Sequence, residues 1–220
     1  MIAIGGIVVF TIFLVVGWAV FTEMFNQRAW RRRVARGDLS IIAALLEEAM
    51  AGWRSARPAK GVPAGLWAGV QAAQLVAVAP DGATVSTSAE PEFQSRDGRR
   101  VQTASALDAA IAIAAKLADM LLYDVPNLRL GFVRVDVYST FTGEDGQPVQ
   151  KPVLTTTAER AVADELQWDA LMPAEILARF DTTYVQTPSG QCEPVTLPPV
   201  AGTSPAEIPP PGAVAPEGSM

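Results

Sequence analysis

Histidine is absent from the 220 residues, cysteine occurs once, and lysine stands only at Lys60, Lys116 and Lys151. Each scarcity removes a class of chemistry. Without histidine there is no Ser-His-Asp triad, no imidazole zinc ligand and no proximal histidine for a haem. A single cysteine, Cys192, closes no intrachain disulfide and builds no four-cysteine metal site. With so few lysines a Ser/Lys nucleophile has little to draw on. Ser105 and Lys116 fall on one expected helix, about 16 Å apart at about 1.5 Å per residue, too far for proton transfer. No glycine-rich loop of the P-loop or dinucleotide type is present. The Gly143-Glu144-Asp145-Gly146 turn has too few ligands for calcium. No cofactor is expected.

Carboxylates remain as candidates for acid–base work. Asp136 could pair with Glu144 or Asp145, and Asp164 stands beside Glu165. Asp136 alternates with Arg134 on the polar face of an expected strand, however, and Glu144 and Asp145 sit in a turn. Asp164 and Glu165 are neighbours on an expected helix, so they point about 100° apart and cannot share a proton. All of these read as solvated surface, and the chain reads as a non-enzyme.

Charge is unevenly spread. Residues 1–60 carry eight basic and four acidic residues, whereas residues 61–220 carry nine basic and nineteen acidic ones. The acidic part should be repelled by nucleic acid, which is not an expected partner. The basic part adjoins residues 2–22, IAIGGIVVFTIFLVVGWAVFT, a run without charge. As a helix this run would extend about 31 Å, enough for a bilayer core of about 30 Å. No basic residue precedes it and it is long for a signal peptide, so an uncleaved single-pass anchor over residues 1–24 is expected. Arg28, Arg31, Arg32, Arg33 and Arg36 follow at once, with Trp30 among them. These six residues form the expected membrane interface, the indole at headgroup level and the guanidinium groups reaching anionic lipid phosphates. By the positive-inside rule the N-terminus lies outside and the rest is cytoplasmic, at the cell membrane.

Beyond the anchor, residues 25–63 read as a basic juxtamembrane segment and an amphipathic helix at 39–55, where Ile41, Ile42, Leu45, Leu46, Ala49 and Met50 share a face. Residues 64–184 read as an α+β domain: an antiparallel sheet of two or more hairpins with helices packed on it. Pro80-Asp81-Gly82 turns between runs 74–79 and 83–87, with glycine expected at positive φ, and Arg96-Asp97-Gly98 offers a second turn. Ser105 and Asp108 open a long helix to about Tyr123. Strand 132–141 alternates clearly, and 149–157 returns as an edge strand marked by Pro148 and Pro152. Thr156 and Glu159 read as a capping box into a helix ending near Trp168, and Pro173 opens a short last helix at 174–180. Residues 185–220, rich in proline, read as a disordered tail.

The long helix is apolar almost all round. Ala110, Ile113, Ala118 and Leu122 continue its apolar surface past the stripe a single sheet can cover, and they form the expected protein interface, to a partner or a second copy. The leading expectation is therefore a membrane-anchored, non-enzymatic scaffold or accessory subunit. A membrane-tethered ligand-sensing domain and an enzyme with an unrecognised carboxylate site are the alternatives.

Overall fold

The computed structural model describes residues 38–96, 99–187 and 191–208. The chain divides after Asp38. The expected anchor, together with Arg28, Trp30, Arg31, Arg32, Arg33 and Arg36, lies outside the described residues. Among the described residues no helix is long and apolar enough to cross a membrane.

Helix α1, Leu39–Ser55, buries Ile41, Ile42, Ala43, Leu46 and Met50, the spacing of one helical face. Its last turn leaves carbonyls without intrahelical donors. Helix α2, Ala64–Gln71, supplies them: Gln71 Nε2 donates to the Arg54 carbonyl at 2.9 Å, and Trp67 Nε1 to that of Ala56 at 3.1 Å. Pro58, Gly61, Pro63 and Gly65 look like breakers in sequence, yet this run is the entry to α2, with Pro63 at its N-cap at φ −58°.

Strands β1 (Gln74–Ala79) and β2 (Gly82–Ser88) form the expected hairpin. Gly82 is not at positive φ. Its glycine has a different cause: a Cβ there would lie 2.2 Å from the Phe132 ring. Strands β3 (Glu92–Arg96) and β4 (Arg99–Ala104) pair as a separate two-stranded sheet, and the turn between them, 97–98, lies outside the described residues. Helix α3, Ala106–Tyr123, is opened by the expected capping box, with Asp108 N donating to Ser105 Oγ at 3.1 Å and Ser105 N to Asp108 Oδ2 at 3.0 Å.

Strand β5 (Phe132–Thr142) then lies parallel to β2, because α3 carries the chain back to the end where β2 began. Strand β6 (Pro148–Glu159) returns antiparallel to β5, and short helices α4 (Arg160–Ala163) and α5 (Pro173–Leu177) follow. Strand β7 (Asp181–Gln186) pairs with β6, and the two-residue β8 (Cys192–Glu193) pairs with β7. The fold is α+β as expected, but the six-stranded sheet, ordered β1-β2-β5-β6-β7-β8, is mixed and not antiparallel.

Three further expectations are corrected. Strand β6 is interior over Leu154–Thr157, where β7 covers it; Pro152 sits outside that stretch, at an irregularity opposite Tyr138. Thr156 and Glu159 form no capping box, since the strand runs through both and Glu159 makes no side-chain cap. Finally, the tail is not featureless: its described part, to Ile208, lies along β1 and the neighbouring strands. Val78 and Thr203 exchange backbone hydrogen bonds of 2.9 and 2.8 Å, and Val195 N donates to the Pro152 carbonyl at 2.8 Å. Gly202, at φ +112°, permits this approach; a Cβ there would lie 2.4 Å from the Val78 carbonyl oxygen.

The core lies between α1, α2, α3 and α5 on one side and the inward-facing residues of the sheet, Val133, Val135 and Val137 among them, on the other. Ala110 and Ala118 are 0% exposed, Ile113 and Leu122 1%. These four residues are therefore core, not an exposed interface. The unforeseen α2 accounts for part of this: Gly69 comes so close that a Cβ would lie 2.3 Å from Ile113 Cδ1. Helix α5 and β6 also pack against α3. An apolar surface broader than one sheet can cover is covered by the chain's own helices.

Candidate functional site

The opposite face of β5 carries Arg134 and Asp136, which the alternation sets on the polar side. They are not solvated, as the sequence suggested: Arg134 is 5% exposed and Asp136 2%. Two charges are removed from water only if they are paired and hydrogen-bonded. Here Arg134 Nε donates to Asp136 Oδ1 at 2.9 Å, and Thr155 Oγ1, across on β6, donates to the same oxygen at 2.6 Å. The register explains the contact, since Asp136 sits directly opposite Thr155 on β6 and Ser86 on β2.

What covers the pair is the C-terminal strap, residues 194–208. Arg134 Nη1 donates to the carbonyls of Pro198 and Pro199 at 2.9 and 3.0 Å. Proline suits this contact because it lacks an N–H, so an extended proline segment offers carbonyls and asks for donors. The pair is not fully satisfied. Arg134 Nη2 is buried without a hydrogen-bond partner, and Asp136 Oδ2 accepts no hydrogen bond from the described residues. Beside it a cavity of about 430 Å³ opens between sheet and strap. Gln74, Ser86, Ser88, Asp136, Tyr138 and Gln150 supply its polar wall; Leu197 and Val200 of the strap line it from the other side.

The other carboxylate candidates do not converge with Asp136 in this way. Asp145 Oδ1 accepts from Gln147 N at 3.0 Å within its own turn, and Glu144 is exposed. Ser105 is occupied as a cap, and Lys116 Nζ pairs with Asp119 at 2.7 Å. Cys192 is half-buried, and burial raises its thiol pKa, which keeps it protonated and a poor nucleophile.

Asp164 belongs to a separate cluster that fastens α3 to the end of β6. Its Oδ1 accepts from Tyr123 Oη at 2.7 Å. Arg160 Nε donates to the Leu130 carbonyl at 2.7 Å, Nη2 donates to that of Leu122, and the guanidinium lies 5.0 Å over the Tyr123 ring. Arg160 thus serves the Leu122 carbonyl at the C-terminal end of α3, where a cation is favoured, and that of Leu130 ahead of β5. Partial burial, followed by the hydrogen bond to Asp164, pushes the Tyr123 pKa up from 10.0 to about 12. A raised folded-state pKa means that the phenol's contribution to stability is complete below pH 10 and is lost as pH rises towards 12. Urea unfolding midpoints should therefore fall between these pH values, and Tyr123→Phe should flatten that fall. An equally steep fall in the variant would dissociate it from Tyr123.

With family models, with curated proteins and with solved structures, the chain has no match. The site is therefore read from its own geometry alone.

Among the described residues no cluster of His, Cys, Asp or Glu could hold a metal ion. Sequence reasoning named Arg134 and Asp136 but left them in water, and it missed Thr155 and the strap as parts of one arrangement. A signal was present: two opposite charges two residues apart on a strand share a face, and a threonine-rich return strand supplies hydroxyl groups beside them.

Proposed function

We propose that the chain is a membrane-tethered regulatory domain that senses a small polar molecule held between the outer face of the sheet and the C-terminal strap. The observation that carries this reading is the cavity of about 430 Å³ against a nearly buried carboxylate with one oxygen unpartnered by the described residues. Its size lies within the range of about 300–1,000 Å³ typical of small-molecule sites. The role is binding without turnover: one carboxylate already engaged by Arg134 and Thr155 is poorly placed to move protons. The uncharged run at 2–22 and the arginines after it support the tether and a cytoplasmic domain.

The test is a thermal-shift screen of the full chain in detergent against a library of small polar metabolites. A saturable rise in melting temperature is expected for at least one chemical class, and its absence for every class would refute the sensing role. For the tether, protease added to spheroplasts should leave residues 64–184 intact. Changing the five arginines to serine should produce mixed topology. Digestion of the unaltered protein from outside would reverse the orientation.

The strap is predicted to be structural as well. Ending the chain after Glu193 removes five hydrogen bonds that fix it to the sheet. At about 0.5–1.5 kcal/mol each, this should lower Tm by about 5–30 °C, checked by circular dichroism melting. Gly202→Val should give a smaller fall in the same direction, through its clash with the Val78 carbonyl. An unchanged Tm in both would show that the strap is not held.

A second reading, an accessory subunit that docks a protein partner, draws on the separate β3–β4 hairpin, where Phe93 and Val101 are each 42% exposed.

A further inference from the structure

The cavity's charge balance says what kind of molecule it would take. Among the described residues lining it, Asp136 is the charged one, and Arg134 neutralises it at 2.9 Å. A cationic ligand would find its carboxylate already spent on a guanidinium. An anionic ligand would meet that carboxylate, with Arg134 already committed through Nε and Nη1. Either would enter without a free counter-charge to replace the hydration it gives up against the wall. The remaining polar wall is neutral: Gln74 and Gln150 amides, Ser86 and Ser88 hydroxyls, and Tyr138. Each of these both donates and accepts.

The ion pair adds an acceptor to this wall: Asp136 lines the cavity, and no described residue donates to its Oδ2. A group that donates to this oxygen and also accepts from the amides and serines beside it is a hydroxyl. A run of hydroxyls suits the amides and serines along β1, β2 and β6 equally well. Leu197, Val200 and the Tyr138 ring supply apolar surface for the carbon skeleton.

We propose that the cavity binds a neutral polyhydroxylated molecule of the sugar or cyclitol class, with Asp136 as its principal acceptor. This rests on the sensing role proposed above and specifies its ligand.

The experiment is isothermal titration calorimetry on the full chain in detergent, with glucose, trehalose and myo-inositol as the neutral probes. Putrescine and citrate serve as the cationic and anionic ones. Polyols at high concentration stabilise most proteins by exclusion from the surface, so saturable heat at millimolar ligand, and not melting temperature alone, is the criterion. Saturable binding of a neutral probe is expected. It should weaken by about tenfold or more in Ser86→Leu, which narrows the cavity opposite Asp136, and also in Gln150→Ala, an exposed position whose change leaves the fold intact. Binding of putrescine or citrate alone, weakened by the same two substitutions, would overturn the polyol assignment and leave the sensing role standing. Binding by none of the probes would also overturn the polyol assignment, and the library screen then decides the sensing role separately. Neutral-probe binding unaffected by both substitutions would place the ligand elsewhere and overturn the proposal.

Discussion

Ala118→Glu should unfold the protein rather than release a partner. Ala118 is 0% exposed in the middle of α3, within the cluster formed by the helices and the inner face of the sheet. Glutamate adds volume where a methyl group is already enclosed, and it adds a charge with no basic group provided for it. Overpacking costs about 1–3 kcal/mol, and burying an unpaired charge costs more. The sum is comparable with the whole stability of a domain, about 5–15 kcal/mol. The expected result is loss of the cooperative urea transition and of near-ultraviolet circular dichroism. Ala112→Glu is the control on the same helix. That position is half-buried and lies four residues before Lys116, so a favourable pair of about 0.3–0.5 kcal/mol can form. A folded Ala118→Glu protein that had lost an oligomeric state would restore the interface that the sequence suggested.

The contrast at α3 shows what periodicity can and cannot carry. Its capping box, its length and its broad apolar surface were all legible from Ser105 to Tyr123, because they depend on contacts within the helix. What covers that surface was not legible. The cover includes α2, eight residues whose entry looks like a run of breakers, and whose Gly69 matters for its lack of a side chain against Ile113. Similarly, alternation along β5 established that Val133, Val135 and Val137 face away from Arg134 and Asp136. It did not say that the polar face meets water. That face is closed by a segment whose composition promised no fold, since nine of the chain's prolines fall within 186–220. Composition asks how much apolar area a segment can bury. The strap is held instead by proline carbonyls on Arg134, by Val195 N on the Pro152 carbonyl and by one antiparallel bridge to Val78, none of which leaves a trace in hydrophobicity. The parallel pairing of β2 with β5 was hidden for a related reason: it depends on where an 18-residue helix returns the chain, not on either strand's own sequence.

The pair at the centre of the site should behave as a unit. Asp136→Leu leaves Arg134 buried with its Nε unpartnered and should cost about 3–5 kcal/mol, the range for breaking a buried ion pair from one side. Arg134→Met strands the carboxylate with Thr155 as its remaining donor and takes two hydrogen bonds from the strap, so its cost should be similar. Replacing both, as Arg134→Met with Asp136→Leu, removes the stranded charge in either direction and should recover most of the loss, because an apolar pair of similar volume is often as stable as the ions it replaces. The three variants and the parent form a double-mutant cycle, read by urea denaturation at neutral pH, with a coupling of about 4 kcal/mol or more expected. Two single changes that cost under about 1 kcal/mol and simply add would mean that the charges are solvated after all. The double variant also separates stability from binding. If it folds as well as the parent yet takes up no ligand in the cavity, the ion pair is retained for recognition, since packing alone would be served by methionine and leucine.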